Sequence, residues 1–108
     1  MTVNEISKVN GFESVVLPDG DREVTGVYIG DLLSWVMGKA NSGDAWITIM
    51  SNINILAVAS LTDCSCIILS EGVTLSEDVI STAKDKEINI LAFSGSSYDA
   101  AVCLNGII

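Results

Sequence analysis

The chain has no histidine, and only one proline and one arginine occur among its 108 residues. Without histidine there is no general base for a Ser-His-Asp or Cys-His arrangement, so catalysis of that type is excluded. Structural zinc sites need four cysteine or histidine ligands, and the three cysteines, Cys64, Cys66 and Cys103, fall short of that number. We predict no metal site and no cofactor, and expect buried thiols. On a strand, Cys64 and Cys66 would face the same side.

Basic residues are scarce as well, with five lysines and arginines against 14 acidic residues and a net charge of −9. The phosphates of nucleic acids and of anionic membranes would be repelled by this charge, so we predict that the chain binds neither nucleic acid nor membrane. A basic protein partner is compatible with the charge.

Long apolar runs are missing too, since no stretch approaches the ~20 residues of a membrane-spanning helix. The first twenty residues contain Glu5, Glu13 and Asp19, where a signal peptide would be basic and apolar. We expect a cytoplasmic protein.

A phosphate-binding loop is also lacking. No glycine-rich segment ends in Lys-Ser or Lys-Thr, and Gly-Ser-Ser at residues 95–97 has no lysine. Kinase activity is therefore not expected. One enzyme alternative stays open, in which acids near Arg22, such as Asp21 with Asp31 or Asp44, do acid–base work or hold Mg²⁺. Because 14 scattered acids supply many accidental pairs, we predict that the chain is not an enzyme.

Apolar sequence is present in short runs, and 49% of the residues are hydrophobic. Residues 45–50, 66–69 and 88–93 are almost continuously apolar, which is typical of strands covered on both faces of a parallel sheet. Each run is followed by a polar loop and a helical pattern. The sequence predicts an α/β layered domain with a mostly parallel central sheet flanked by helices, formed by residues 1–108 as one domain.

The amino-terminal part carries clear local signals. Thr2 with Glu5 three residues later predicts a capping box for a short first helix. Residues 12–17 predict a strand, the Pro-Asp-Gly-Asp of residues 18–21 a turn, and residues 24–29 a second strand.

Later helices are predicted from caps and periodicity. Asp31 is expected to cap a helix over residues 32–40 whose apolar stripe packs on the sheet. The stripe consists of Leu32, Leu33, Val36 and Met37. Residues 74–77 (Thr-Leu-Ser-Glu) predict a capping box for a helix that reaches Lys86, and a last helix is expected over residues 98–104.

The loops after the three buried strands are the first candidate binding region, because ligands of such sheets bind outside the carboxyl ends of the strands. Small polar side chains at helix starts suit a phosphate or carboxylate, and the same residues serve as N-caps in any protein. Both interpretations stay open here. The candidate ligand-binding residues are Ser51, Asn52, Asn54, Ser70, Ser94 and Ser96.

The segment around the single arginine is the second candidate region. Its candidate ligand-binding residues are Asp21, Arg22, Thr25 and Gly26. In one interpretation Arg22 pairs with a neighbouring carboxylate, Asp21, Asp31 or Asp44, and shapes the entry to a strand. In the other, Arg22 reaches the anion-suited loops at residues 51–54 and 94–97.

The same segment carries a family resemblance. Residues 21–26, Asp-Arg-Glu-Val-Thr-Gly, resemble the Asp-Arg-Thr-Gly-Gly signature of the DRTGG domain, and residues 27–34, 43–49 and 54–61 resemble further blocks of that family in the same order. There are departures. Two residues separate Arg22 from the Thr-Gly pair, a valine stands where the second glycine would be, and residues 51–52 are Ser-Asn where many relatives have Thr-His.

The resemblance implies a regulatory rather than a catalytic part. DRTGG domains are similar to the amino-terminal part of HPr kinase, accompany CBS domains in regulated pyrophosphatases, and occur beside phosphotransacetylase domains. The catalytic phosphate loop of HPr kinase lies in its other domain, so no kinase activity is implied. Stand-alone relatives resemble small dimeric proteins of anaerobic bacteria that are often encoded near iron-only hydrogenase components.

The leading hypothesis is a non-catalytic regulatory module that acts by ligand sensing or interaction. It would work as a homodimer and sense a small anionic or nucleotide ligand, since the high apolar content of a short chain favours association. The alternatives are an accessory protein of an anaerobic redox enzyme such as an iron-only hydrogenase, and the enzyme with acids near Arg22.

Overall fold

The computed structural model describes residues 1–108 and contains one five-stranded sheet. Its strands are β1 (Phe12–Val16), β2 (Gly26–Ile29), β3 (Asp44–Thr48), β4 (Cys66–Leu69) and β5 (Ile90–Phe93). They lie in the order β1-β5-β4-β3-β2. The pairings of β2 with β3, β3 with β4 and β4 with β5 are parallel, and β1 joins β5 antiparallel. The predicted α/β fold with a mostly parallel sheet is confirmed.

Helices cover both faces of this sheet. They are α1 (Val3–Ile6), α2 (Leu33–Lys39), α3 (Asn54–Thr62), α4 (Glu77–Asp85) and α5 (Ser97–Asn105). Side chains of α2, α3 and α4 share one core cluster with Trp46, Ile67 and Ile90 of the sheet. Those of α1 and α5 share a second cluster with Ile47 and Ile68. Because successive residues of a strand point to opposite faces, the uninterrupted apolar strands supply both clusters.

Buried polar groups in the core find partners. Trp46 is fully buried, and its Nε1 donates a hydrogen bond to the Gly30 carbonyl at 2.9 Å. Unpaired polar groups in an apolar interior are costly, so this bond fixes the loop after β2 against β3.

The first helix is capped as predicted. The Thr2 hydroxyl accepts from the Glu5 amide while the Glu5 carboxylate accepts from the Thr2 amide. The predicted capping box at residues 74–77 is wrong in register. Glu77 is the first helical residue of α4, and Ser76 is the N-cap that accepts from the Val79 amide. Both Thr74 and Ser76 match the sequence preference for a cap, which is why the pattern alone misplaced it.

The start of α2 departs from the prediction. Leu32 occupies its N-cap position and makes no side-chain cap, whereas Asp31 turns toward β3. The predicted stripe is also only half right, because Val36 is buried but Leu32 and Met37 are 61% and 49% exposed. Since β2 is the last strand on this side, no sheet extends beneath the outer side of α2.

Candidate functional site

The predicted site residues lie at the two opposite ends of the parallel strands, which we call the amino edge and the carboxyl edge of the sheet. Because β2, β3 and β4 run in parallel, their amino ends meet at one edge and their carboxyl ends at the other. The amino edge holds Asp21, Arg22, Thr25 and Gly26. The carboxyl edge holds Ser51, Asn52, Asn54, Ser70, Ser94 and Ser96. Strands of four or five residues separate the edges by roughly 13–16 Å, so Arg22 does not join the loops at residues 51–54 and 94–97.

Arg22 pairs with a carboxylate that the sequence did not single out. Its Nη1 lies 3.1 Å from Asp63 Oδ1, and its Nη2 donates to the Asp63 carbonyl at 2.8 Å. The expected partners Asp21, Asp31 and Asp44 are therefore corrected to Asp63, 41 residues away. The interpretation of Arg22 as a structural anchor is supported, although through a long-range pair.

The backbone conformation of Asp63 and its contact with Ser42 both favour this ion pair. It ends α3 with a left-handed backbone at φ 58°, a conformation that a short polar residue tolerates better than most. The Ser42 hydroxyl also donates to the Asp63 carboxylate. The hydrogen bond from Ser42 and then that from Arg22 lower the pKa of Asp63, because both favour the charged form. Arg22, Ser42 and Asp63 thus join three separate connections of the chain.

The Thr-Gly pair of the signature lies where β2 meets β3. The Thr25 amide donates to the Gly43 carbonyl at 3.0 Å, and Gly43 has φ +87°, which favours glycine. A Cβ on Gly43 would clash with the Thr25 hydroxyl. A Cβ on Gly26 would stand only 2.6 Å from Asp44 Oδ1. These residues are required for close backbone approach at the amino edge.

Asp44 is a buried acid within the same edge. It is 6% exposed, and its Oδ2 accepts from the Asn41 amide at 2.8 Å. Its carbonyl accepts from both the amide and the hydroxyl of Ser65. Buried Asn89 extends these hydrogen bonds, since its side chain donates to the Ser65 and Asp19 carbonyls and accepts from the Asp19 amide. The amino edge is therefore a satisfied hydrogen-bond network, while Asp21 stands exposed beside it.

At the carboxyl edge, three of the predicted serines differ in role. Ser70 is fully buried and shares a hydrogen bond of 2.6 Å with Ser97. Ser96 caps α5, accepting from the Asp99 amide at 3.0 Å. Ser94 is exposed. Ser96 is thus an N-cap, as the capping interpretation expected, whereas Ser70 links its loop to the start of α5 and caps no helix.

The loop before α3 is the open part of this edge. Ser51, Asn52 and Asn54 are all exposed. Asn52 Oδ1 accepts from the Asn54 amide at 3.0 Å, and α3 begins without a side-chain cap from Ile53. Its first turn contains no acid, whereas α4 and α5 carry acids there. Since acids at a helix start compete with a bound anion, the start of α3 is the best suited of the three.

Asp31 is a carboxyl-edge residue whose position the sequence did not reveal. Its Oδ1 accepts from the Thr48 hydroxyl at 2.8 Å and from the Ile49 amide at 3.0 Å. Asp31 therefore links the ends of β2 and β3. The one available signal was an aspartate directly after a strand, and that signal equally indicates an N-cap.

The cysteines do not form a common site. No group of three or more histidine, cysteine or acidic side chains is arranged to hold a metal. Cys66 points into the α1 and α5 core and Cys64 packs against the other core, so the expectation that they face the same side is wrong. Cys64 precedes β4 and does not follow its alternation. Burial raises the pKa of Cys66 to about 12 and raises that of Cys64.

A shallow groove lies between β2 and α5. Its volume is about 520 Å³, and Val27, Ile29, Tyr98, Val102 and Asn105 are among its lining residues. None of the lining residues is charged. Tyr98 is 74% exposed and Val102 52% exposed. The composition of this groove suits an apolar contact better than an anion.

The chain is a small α/β module, and its similarity to a solved structure supports a DRTGG-like fold. The chain is similar to the solved CBS and DRTGG domains of the regulatory region of Clostridium perfringens pyrophosphatase, with a TM-score of 0.72 and 18% sequence identity. The match covers 94% of this chain and 44% of that one. That structure is a complex with an activator, diadenosine tetraphosphate. The sequence matches no protein-family model and no curated protein.

No helix is long and apolar enough to cross a membrane.

Proposed function

We propose that residues 1–108 form one DRTGG-like domain that acts as a non-catalytic regulatory module and senses a small nucleotide-like anion. The observation that carries this proposal is the similarity of the fold, over 94% of the chain, to a regulatory region solved with a dinucleotide activator. The amino edge supports a structural role for Arg22, since that side chain is already engaged by Asp63.

The proposed anion site is the start of α3. Exposed Ser51, Asn52 and Asn54 can donate from their side chains, and the partial positive charge at the amino end of a helix favours an anion nearby. The absence of an acid from this first turn distinguishes it from the starts of α4 and α5.

Four of the five basic residues lie elsewhere. Arg22 is bound at the amino edge, Lys39 ends α2, and Lys84 and Lys86 are at the end of α4. Both helices run from the carboxyl edge to the amino edge, because each connects parallel strands. A polyphosphate at the start of α3 would therefore be held by neutral donors, and Mg²⁺ in solution would supply the compensating charge.

A thermal-shift screen tests this proposal. Nucleotides, diadenosine tetraphosphate and acyl phosphates would be added with and without Mg²⁺, because a ligand that binds the native state raises the melting temperature. At 100 times its Kd a ligand stabilises by about 2.7 kcal/mol, which is roughly 12 °C for a chain of this length.

Two matched variants locate the site. Asn52→Ala should abolish the shift, while Ser94→Ala, an exposed residue at the neighbouring loop, should keep it. No shift with any compound in the wild-type protein would contradict ligand sensing, and a shift lost in Ser94→Ala alone would move the site to another loop.

We also propose that the module works as a homodimer. Exposed large hydrophobic side chains, among them Ile29, Tyr98 and Val102 at 47%, 74% and 52% exposure, are numerous for a chain of this size, and association is a common way to cover such surface. Light scattering should give twice the 11.4 kDa monomer mass. Only monomer at 100 µM would refute the homodimer.

As a second proposal, the acidic surface of the chain binds a redox enzyme. The net charge of −9 suits a basic partner. Co-purification from the native host would recover such an enzyme, and recovery of the chain alone would contradict this proposal.

A further inference from the structure

The exposed side of α5 is unusual for a surface helix. Ala100 and Leu104 are fully buried in the core, and the other side of the helix carries the stripe Tyr98, Ala101, Val102 and Asn105. Asp99 is the only charged residue in α5. A helix that is apolar on both sides is typically buried on both sides, so α5 requires a second covering surface.

The sheet beside α5 is incomplete in the same place. β2 is the terminal strand, so one side of its backbone has no neighbouring strand. On the α1 and α5 face, Val27 packs only partly against the core and Ile29 is 47% exposed. An uncovered edge strand is prone to pair with another chain. The groove and the free strand edge form one continuous surface.

We infer that this surface, the β2–α5 groove, is the interface between two copies of the chain related by a two-fold axis. The inference rests on the homodimer of the proposed function and names its contact surface. In a two-fold dimer the same patch meets itself, so α5 of one copy would cover the groove and α5 of the other.

Charge favours a second copy as the occupant. Each copy carries a net charge of −9, so two copies repel wherever charged surfaces meet. The groove has no charged lining residue, which permits close approach at low repulsion. A basic partner would instead be expected to select an acidic surface.

An interface of standard size would extend beyond the groove. One whole side of the molecule, which measures 31 × 27 × 25 Å, is about as large as the roughly 800 Å² that each partner contributes to such an interface. Tyr98 is a suitable central anchor, because tyrosine is enriched among the residues that dominate interface energy.

Sedimentation equilibrium of the full chain tests the inference with matched variants. Val102→Glu places a charge in the groove, and Leu61→Glu places the same charge on 72%-exposed Leu61 of α3, on the opposite face. We expect a wild-type dimer, a dimer dissociation constant raised by about 30-fold or more in Val102→Glu, and an unchanged constant in Leu61→Glu. Tyr98→Ser, at 74% exposure, provides a second groove variant if Val102→Glu fails to fold.

Each other outcome has a distinct meaning. A dimeric wild type whose folded groove variants keep the wild-type constant would overturn the interface while leaving the proposed homodimer intact. Dissociation caused by Leu61→Glu and not by the groove variants would place the interface on α3 and also overturn this inference. A monomeric wild type would overturn both the interface and the homodimer, and the thermal-shift screen would still decide ligand sensing separately.

Discussion

Replacement of Arg22 by alanine tests whether the signature arginine anchors the fold. The variant loses the 3.1 Å ion pair with Asp63 and the 2.8 Å hydrogen bond to the Asp63 carbonyl. The side chains of Arg22 and Asp63 are 30% and 59% exposed, so we take about 0.5 kcal/mol for the solvent-screened pair. A hydrogen bond from a charged group adds about 1.5 kcal/mol, the lower end of its range.

The expected loss is therefore about 2 kcal/mol, which lowers the melting temperature by about 9 °C for a chain of this length. Thermal unfolding followed by circular dichroism measures it. Asp63→Asn keeps the carbonyl and tolerates the left-handed backbone. It should lose the ion pair and weaken the hydrogen bond from Ser42, so we expect a smaller fall in melting temperature than for Arg22→Ala.

The control for this experiment is Lys8→Ala, which removes one positive charge from an exposed position. Surface changes of this kind are usually within about 0.5 kcal/mol. An Arg22→Ala protein that melts within 2 °C of the wild type would refute the anchoring role.

Three further predictions concern the amino edge and the core. Gly26→Ala should destabilise by about 1–3 kcal/mol in urea titrations, because its Cβ would meet buried Asp44 at 2.6 Å. Iodoacetamide at pH 8 should leave Cys66 unmodified in the native protein and modify it in urea, as mass spectrometry of peptides would show, since burial raises its pKa to about 12. The pKa of Asp63 is below its ordinary value of 3.8. The ionised Asp63 carboxylate therefore stabilises the folded chain fully above that pH, and this stabilisation is lost as the pH falls further. Asp63→Asn should reduce the pH dependence of the melting temperature below pH 4.

The fold was predictable because its signals are local or periodic. Continuous apolar runs such as residues 45–50 predicted strands covered on two faces, and β3 is indeed buried throughout. The Thr2–Glu5 capping box needed only residues three apart. These features depend on neighbours in the chain, so a single sequence contains them.

The arrangement of the candidate site was less predictable because its contacts are distant in sequence. Arg22 meets Asp63 across 41 residues, and Asp31 meets Thr48 across 17. With 14 acids available, no local pattern selects the partner of one arginine. The separation of the signature from the strand-end loops follows from strand direction, which places Thr25 and Asn52 at opposite edges.

The sequence resemblance did not decide whether the signature residues, Gly26 among them, bind a ligand or hold the fold together. A signature motif with arginine, threonine and glycine suggests a binding loop. At the amino edge, however, a structural contact explains each of these three residues. Thr25 packs against Gly43, and the lack of a Cβ on Gly26 leaves room for the Asp44 carboxylate. Binding is therefore proposed at the start of α3 and in the β2–α5 groove, which the signature does not include.

A ¹H–¹⁵N correlation titration of the labelled wild-type chain with diadenosine tetraphosphate and Mg²⁺ locates the ligand on the molecule. We predict chemical-shift changes centred on residues 51–54 and little change at residues 21–26. Changes centred on residues 21–26, or no changes at saturating ligand, would refute binding at the start of α3.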